Sequence, residues 1–211
     1  GGGAPPGGGG RGGPAPGSLA PVGGVGGGGR PPPTARLCCY SLTGYSGGGK
    51  GMIAEYEAPR RAPALDAPRP YGLALHHKHL PEMRAVTGLE TAPNFVPIVA
   101  DYYAGMVTMV PLDLEALGLT ARQVADTLAA AYAGGPVVTV HPLNEGTDGG
   151  FLASNALAGS DRLEIFCLTD PEERQMQLIS RFDNLGKGSS GAAVQCMNLM
   201  LGLDECAGLA L

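Results

Sequence analysis

The sequence predicts an α+β fold, a mostly antiparallel sheet with a few helices on one face, behind a disordered N-terminal arm. Three observations predict it. Of the 36 Gly and 19 Pro in 211 residues, 16 Gly and 8 Pro fall in the first 33 positions, and a stretch of that composition loses more backbone entropy on ordering than its few side chains recover. Beyond it, short apolar runs bounded by Gly, Pro and Asp recur along the chain, as the strands of a sheet do. Two longer segments, 121–133 and 190–201, carry helical spacing instead. About 178 residues follow the arm, enough for one well-buried domain.

Residues 37–43 read as a short buried strand running into a Gly-rich loop, Gly44 to Gly51, with a short helix over 52–56. Four prolines between Pro59 and Pro70 predict an extended surface connection. Strands are expected over 71–79, 95–100 and 105–112. The helix 121–133 has a capping box in Thr120 and Gln123, an apolar stripe of Val124, Leu128 and Tyr132, and Gly134 at its end. Strands follow over 136–141, 151–157, 162–168 and 175–182, the last two joined by a turn at 169–172. The closing helix, 190–201, has apolar residues on two stripes, so burial on more than one side is expected.

Charge and composition exclude several classes of function. Arg11, Arg30 and Arg36 lie in the arm, leaving 11 basic and 19 acidic residues, so the folded part has a net charge near −8 and no basic footprint for nucleic acid. No apolar run reaches the roughly 18 residues that span a bilayer. Five cysteines without a C-x-x-C fit reduced thiols in a cytosol or organelle stroma. The chain begins with Gly, which suggests a fragment or a processed form.

Three stretches carry candidate chemistry. Gly44 to Lys50 has the G-x-x-x-x-G-K spacing of a phosphate-cradling P-loop, but Gly51 stands where a Ser or Thr should hold magnesium, so a Gly-rich loop meeting some other phosphate competes with that reading. His76, His77 and His79 cluster just before Glu82. A neutral-range acid/base histidine with Glu82 as its orienting carboxylate, a zinc site needing a distant third ligand, and a plain surface cluster are all open. Finally, Asp183 to Gln195 runs from a strand into a Gly/Ser-rich helix start with Lys187 beside it. Ordinary capping does not explain Gln195 and Asn198 in an otherwise apolar helix.

Taken together, these stretches resemble N-acetyl-γ-glutamyl-phosphate reductase, in its shorter type. The family pattern D-N-L-x-K-G-A-x-G-x-A-x-Q-N-x-N-L is similar to Asp183-Asn184-Leu185-Gly186-Lys187-Gly188-Ser189-Ser190-Gly191-Ala192-Ala193-Val194-Gln195-Cys196-Met197-Asn198-Leu199. Its H-x-H-x-P-E motif resembles His77-Lys78-His79-Leu80-Pro81-Glu82, and its Ser-Gly-x-Ser-Gly-x-Gly loop resembles Thr43 to Lys50. The resemblance implies NADPH-dependent reduction of an acyl phosphate to a semialdehyde in arginine synthesis, with a cysteine nucleophile and a histidine acid/base. It also implies a fold like the C-terminal domain of glyceraldehyde-phosphate and semialdehyde dehydrogenases, a homo-oligomer formed through the sheet, and a small-molecule partner. His79, or failing it His77, would be the acid/base. Ser46, Gly47, Gly48, Lys50 and Glu82 would line the substrate pocket, while Asn184, Lys187, Gly188 and Gly191 would lie near NADP.

The departures matter as much. The family's dinucleotide-binding domain has no counterpart, since the G-x-G-x-x-G matches in the arm are low-complexity accidents. Its Asn-Pro-Gly-Cys-Tyr nucleophile segment precedes the Gly-rich loop by many residues, whereas Cys38-Cys39-Tyr40 abuts it. Cys39 is thus a weak candidate nucleophile and Cys38 a weaker one. The expected organisation is an arm at 1–36, a substrate and dimerisation domain at 37–183, and a closing helix at 184–211 that packs on an absent cofactor domain. Alone, such a chain is expected to be inactive. A non-catalytic module docking on a full-length reductase is the alternative, with a P-loop phosphohydrolase more distant.

Overall fold

The computed structural model describes residue 32 and residues 34–211. Most of the arm expected at 1–36 lies outside the described residues; at its described end, Ala35 is buried against the core. Seven strands form one sheet, β1 (Cys38–Gly44), β2 (Arg69–Pro70), β3 (Asn94–Ala100), β4 (Met106–Asp113), β5 (Val138–Val140), β6 (Leu163–Thr169) and β7 (Gln175–Phe182), in the order β2-β3-β1-β4-β7-β6-β5. β1 with β3 and β5 with β6 are parallel, and the other neighbours are antiparallel. The sheet is therefore mixed and mostly antiparallel.

Alternation along each strand assigns the faces. Cys39, Phe95, Val110, Leu178, Ile165 and Cys167 point inward and form one cluster with Met83, Leu114, Val124 and Leu128. Those four come from α2 (Leu80–Thr87), α3 (Leu114–Leu117) and α4 (Ala121–Ala131), so these helices lie on one face. Ser41, Thr108 and Ser180 stand in register across β1, β4 and β7 on that same face, all buried. The opposite face holds a smaller cluster of Val107, Phe166 and Ile179, while Tyr40, Leu42, Val96 and Ile98 remain partly open. α4 begins with the expected reciprocal box, Thr120 Oγ1 accepting from the Gln123 N–H (3.2 Å) and Gln123 Oε1 from the Thr120 N–H (2.9 Å).

Four expectations are corrected. Residues 71–79 form turns rather than a strand, because Gly72 (φ +64°) and Leu75 (φ +55°) sit in the left-handed region and reverse the chain. The Pro-Glu after His79 is the opening of α2, with proline in the first turn and Glu82 at its positive end. Residues 151–157 are also turns, set by a Gly149-Gly150 reversal that bridges Asp148 to Phe151. The Gly-rich loop is not a loop: Tyr45–Gly48 is a 3-10 turn leading into α1 (Gly49–Tyr56). Last, α5 (Gly191–Leu201), entered through a π turn at Gly186–Ser190, does not have the two-sided burial its apolar stripes suggest but leaves them open, as expected of this helix where no partner covers it. It buries Gly191, Ala192, Gln195 and Asn198 and exposes Met197, Leu199, Met200 and Leu201.

Candidate active site

The histidine motif lies at one edge of the sheet, where the turns after β2 deliver it to the start of β3. The His77 ring meets Phe95 edge-on with centroids 4.9 Å apart and lies 5.1 Å from the His79 ring. Its Nδ1 accepts the His79 backbone N–H at 3.3 Å, so the proton of the neutral ring sits on Nε2. Burial, then the charges of His79 and Lys78, holds His77 below the ordinary value of 6.5, which keeps it neutral near pH 7. His79 caps the start of α2, and its Nδ1 lies 3.2 Å from Glu82 Oε2 one turn on. That leaves its Nε2 without a partner among the described residues. His76 and Lys78 face solvent.

The other two motifs meet at the far end of β1. Asn184, just past β7, donates from Nδ2 to Ser46 Oγ (2.9 Å) and accepts the Gly105 N–H on Oδ1 (2.8 Å). One amide thus ties the Gly-rich turn, the β3–β4 connection and the exit of β7. The Gly44, Tyr45 and Ser46 N–H groups donate to the carbonyls of Gly105 (3.0 Å), Tyr102 (2.9 Å) and Tyr103 (3.0 Å). These three donors are engaged by protein and cannot cradle a phosphate as a P-loop does. A Cβ at residue 44 would stand 2.5 Å from the Tyr103 carbonyl oxygen, so glycine is required there. Gly47, Gly48 and Lys50 remain exposed. Beside this junction opens a cavity of ≈ 680 Å³, with Tyr103, Asn155, Asp161, Asp183 and Leu185 in its wall.

Below the cavity, Asp183 is buried and accepts from the N–H groups of Leu185 (2.6 Å), Gly186 (3.2 Å) and Gly159. Lys187 is buried as well, its Nζ donating to Gln195 Oε1. Burial lowers the Lys187 pKa, against the opposing pull of Cys196, Asp161 and Glu205. Gly188 and Gly191 are tight: a Cβ would lie 2.9 Å from the Asp183 carbonyl oxygen and 1.9 Å from Asp161 Oδ1, respectively. The Asn184 amide and the Lys187 amine are engaged internally, and Gly188 and Gly191 stand close to neighbouring protein atoms.

The histidine edge and the Ser46–Asn184 junction are separate. Phe95, against which His77 packs, pairs with Cys39, while Gly44 pairs with Ala100; five residues of strand span about 17 Å. Among the described residues, no hydrogen bond or ring contact joins His77 or His79 to Ser46, Lys50 or Asn184. Cys39 is fully buried, and burial pushes its thiol up to about 12, leaving a thiolate fraction on the order of 10⁻⁵ at neutral pH. No group of three His, Cys, Asp or Glu among the described residues could hold a metal ion, and no helix is long and apolar enough to cross a membrane. The 101–105 turn, Asp161 and Glu205 escaped the sequence reading, since no local pattern ties them to the motifs they serve.

A one-sided helical cover on a mixed sheet, with a pocket at the strand ends, defines a class. The chain belongs to the family of semialdehyde dehydrogenase dimerisation domains, whose sequence profile matches residues 29–184. Within that class it is similar to N-acetyl-gamma-glutamyl-phosphate reductase of Rhizobium etli, 44% identical over 164 residues that cover 76% of this chain and 53% of the relative. N-acetyl-gamma-glutamyl-phosphate reductase 2 of a Nostoc species is 38% identical over 178 residues, covering 80% of this chain and 55% of that protein. The chain thus spans about half the length of the curated relatives it matches. In fold it matches aspartate semialdehyde dehydrogenase II from Vibrio cholerae, with a TM-score of 0.57 at 17% identity over 79% of this chain and 55% of that one. Aspartate semialdehyde dehydrogenase from Francisella tularensis matches with a TM-score of 0.57 at 10% identity, over 80% and 58% of the two chains.

Proposed function

We propose that this chain supplies the substrate-side and subunit-pairing half of an N-acetyl-γ-glutamyl-phosphate reductase, which reduces an acyl phosphate to a semialdehyde with NADPH. The observation that carries this reading is the Asn184–Ser46 bond, by which two of the three family-like motifs, 138 residues apart in sequence, meet beside one cavity. The 44% identity to a reductase of that name supports it.

Within this reading His79 handles the proton. Glu82 Oε2 lies 3.2 Å from Nδ1 and orients the ring, so Nε2 is the atom that gives or takes a proton. His77, neutral and packed on Phe95, accepts the His79 N–H and fixes the backbone that presents the His79 ring. Ser46 holds the Gly-rich turn in place, and exposed Gly47, Gly48 and Lys50 stand at the other end of β1 from the histidines, away from the atom on which His79 acts. Cys39 is too deeply buried to attack; since the reductase resemblance implies a nucleophile segment and a dinucleotide-binding part ahead of this domain, we assign both to segments outside residues 34–211. On this assignment residues 34–211 do not turn over alone. A second copy covers the sheet face that bears Tyr40, Leu42, Val96 and Ile98, which are exposed or half-buried among the described residues.

A chimaera tests the proposal: residues 37–211 replace the matching half of the Rhizobium etli reductase, and NADPH oxidation is followed with the acyl phosphate. Turnover in a folded chimaera that falls about 10²- to 10⁴-fold in His79→Asn is the expected result. A folded, dimeric chimaera without turnover, or one indifferent to His79→Asn, overturns it.

A further inference from the structure

Beyond α5 the chain reverses at Gly202 (φ +68°), and residues 203–211 run back without regular structure. This segment is held mainly by hydrogen bonds. Asn198, buried inside α5, donates from Nδ2 to the carbonyls of Glu205 (3.2 Å) and Ala207 (2.9 Å). Gln195 donates from Nε2 to Glu205 Oε2 (3.1 Å), while its Oε1 accepts from Lys187. Ala210 is clamped by Asp161, whose Oδ2 accepts the Ala210 N–H (2.9 Å) and whose own N–H donates to the Ala210 carbonyl (2.7 Å). Ser160 Oγ adds a bond to that carbonyl at 3.2 Å.

We propose that residues 203–211 are a strap, latched by Gln195, Asn198 and Asp161, that opens as a local unit and gates access to the Lys187 amine. Two features of the geometry carry this. Most of the strap's own residues are exposed or half-buried, so opening gives up hydrogen bonds rather than core; segments built this way open well below the cost of global unfolding. The latch also runs directly to the amine, because the Gln195 side chain that donates to Glu205 also accepts the Lys187 hydrogen bond. Opening therefore loosens the cover of Lys187 and its hydrogen-bond partner in one movement. This inference does not rest on the reductase reading.

The test is acetic anhydride labelling of the full chain, with the rate at each lysine read by peptide mass and exposed Lys50 and Lys78 as internal references. Amide hydrogen exchange in β4 and β7 is followed in parallel. Lys187 is expected to label about 100-fold more slowly than Lys50, and Glu205→Ala to raise its rate about tenfold while Lys50 and the sheet amides are unchanged. An unchanged Lys187 rate in Glu205→Ala, or sheet amides that accelerate in step with it, overturns the proposal. Should that variant fail to fold, the unaltered chain decides in dilute urea. Labelling of Lys187 independent of urea supports local opening, and labelling that climbs with the slope of global unfolding refutes it.

Discussion

α4 and α5 are both eleven residues long, and they are built inside out relative to each other. α4 buries Ala121, Val124, Ala125 and Leu128 against the sheet and gives Arg122 and Asp126, an i,i+4 ion pair at 3.1 Å, to solvent. α5 turns Gln195, Asn198 and two small residues inward, over buried Lys187, and leaves Met200 86% exposed with Met197, Leu199 and Leu201 around it. The hydrophobic effect places the first helix. Hydrogen bonds place the second, which keeps its apolar side for something else to cover. Helix formation and helix attachment are therefore separate questions, and only the first is answered by apolar periodicity.

Four predictions bear on that contrast. The largest effect is expected for Asp183→Ala, which strips the acceptor from three N–H groups at the root of α5 and should cost about 4 kcal/mol in urea unfolding. A loss under about 1 kcal/mol would mean that something other than this polar root attaches the segment. Leu128→Ala opens a cavity in the main cluster and should cost about 3 kcal/mol, the ordinary figure for an apolar attachment. A cost near zero would remove the distinction between the two helices.

The third prediction concerns pH. The folded chain binds the Lys187 proton less tightly than the unfolded chain does, so keeping a charge at that site costs stability below the ordinary lysine value of 10.5. That cost shrinks as pH rises toward 10.5. Relative to Lys187→Met, the unaltered chain should gain stability over this rise, and parallel pH profiles of the two proteins would contradict the assignment. The smallest effect belongs to Met200→Lys, expected within about 0.5 kcal/mol in the isolated chain because the side chain touches little. A substantial loss of stability there would show that the apolar side is already covered.

Much of this was legible in the sequence. The strand expected over 175–182 has those bounds in the structure, and Thr120 and Gln123 signal the start of α4. Residues 71–79 turn although the sequence predicts a strand there, because residue types alone do not fix φ at Gly72 and Leu75, which decides that the chain turns. For α5 the sequence marks Gln195 and Asn198 as polar groups in need of partners, but not which partners they find. Counting apolar positions cannot reveal that Lys187, four residues before the helix, folds beneath it and draws Gln195 inward. At the candidate site each motif was readable by itself, yet the bond from Asn184 to Ser46 spans 138 residues, and no local pattern encodes it. The spacing between the histidine edge and that junction follows from the parallel pairing of β1 with β3, which is likewise a property of the assembled sheet.

The three backbone bonds from residues 44–46 to the 101–105 turn carry one more consequence. Together with the Asn184 amide they fix the wall beside the cavity before any ligand arrives. A molecule binding there need not organise that wall, so the ordering cost that weakens binding at floppy surfaces has already been met in folding. The glycine-rich wording, which suggests a pliant flap, here describes a preorganised and nearly rigid rim.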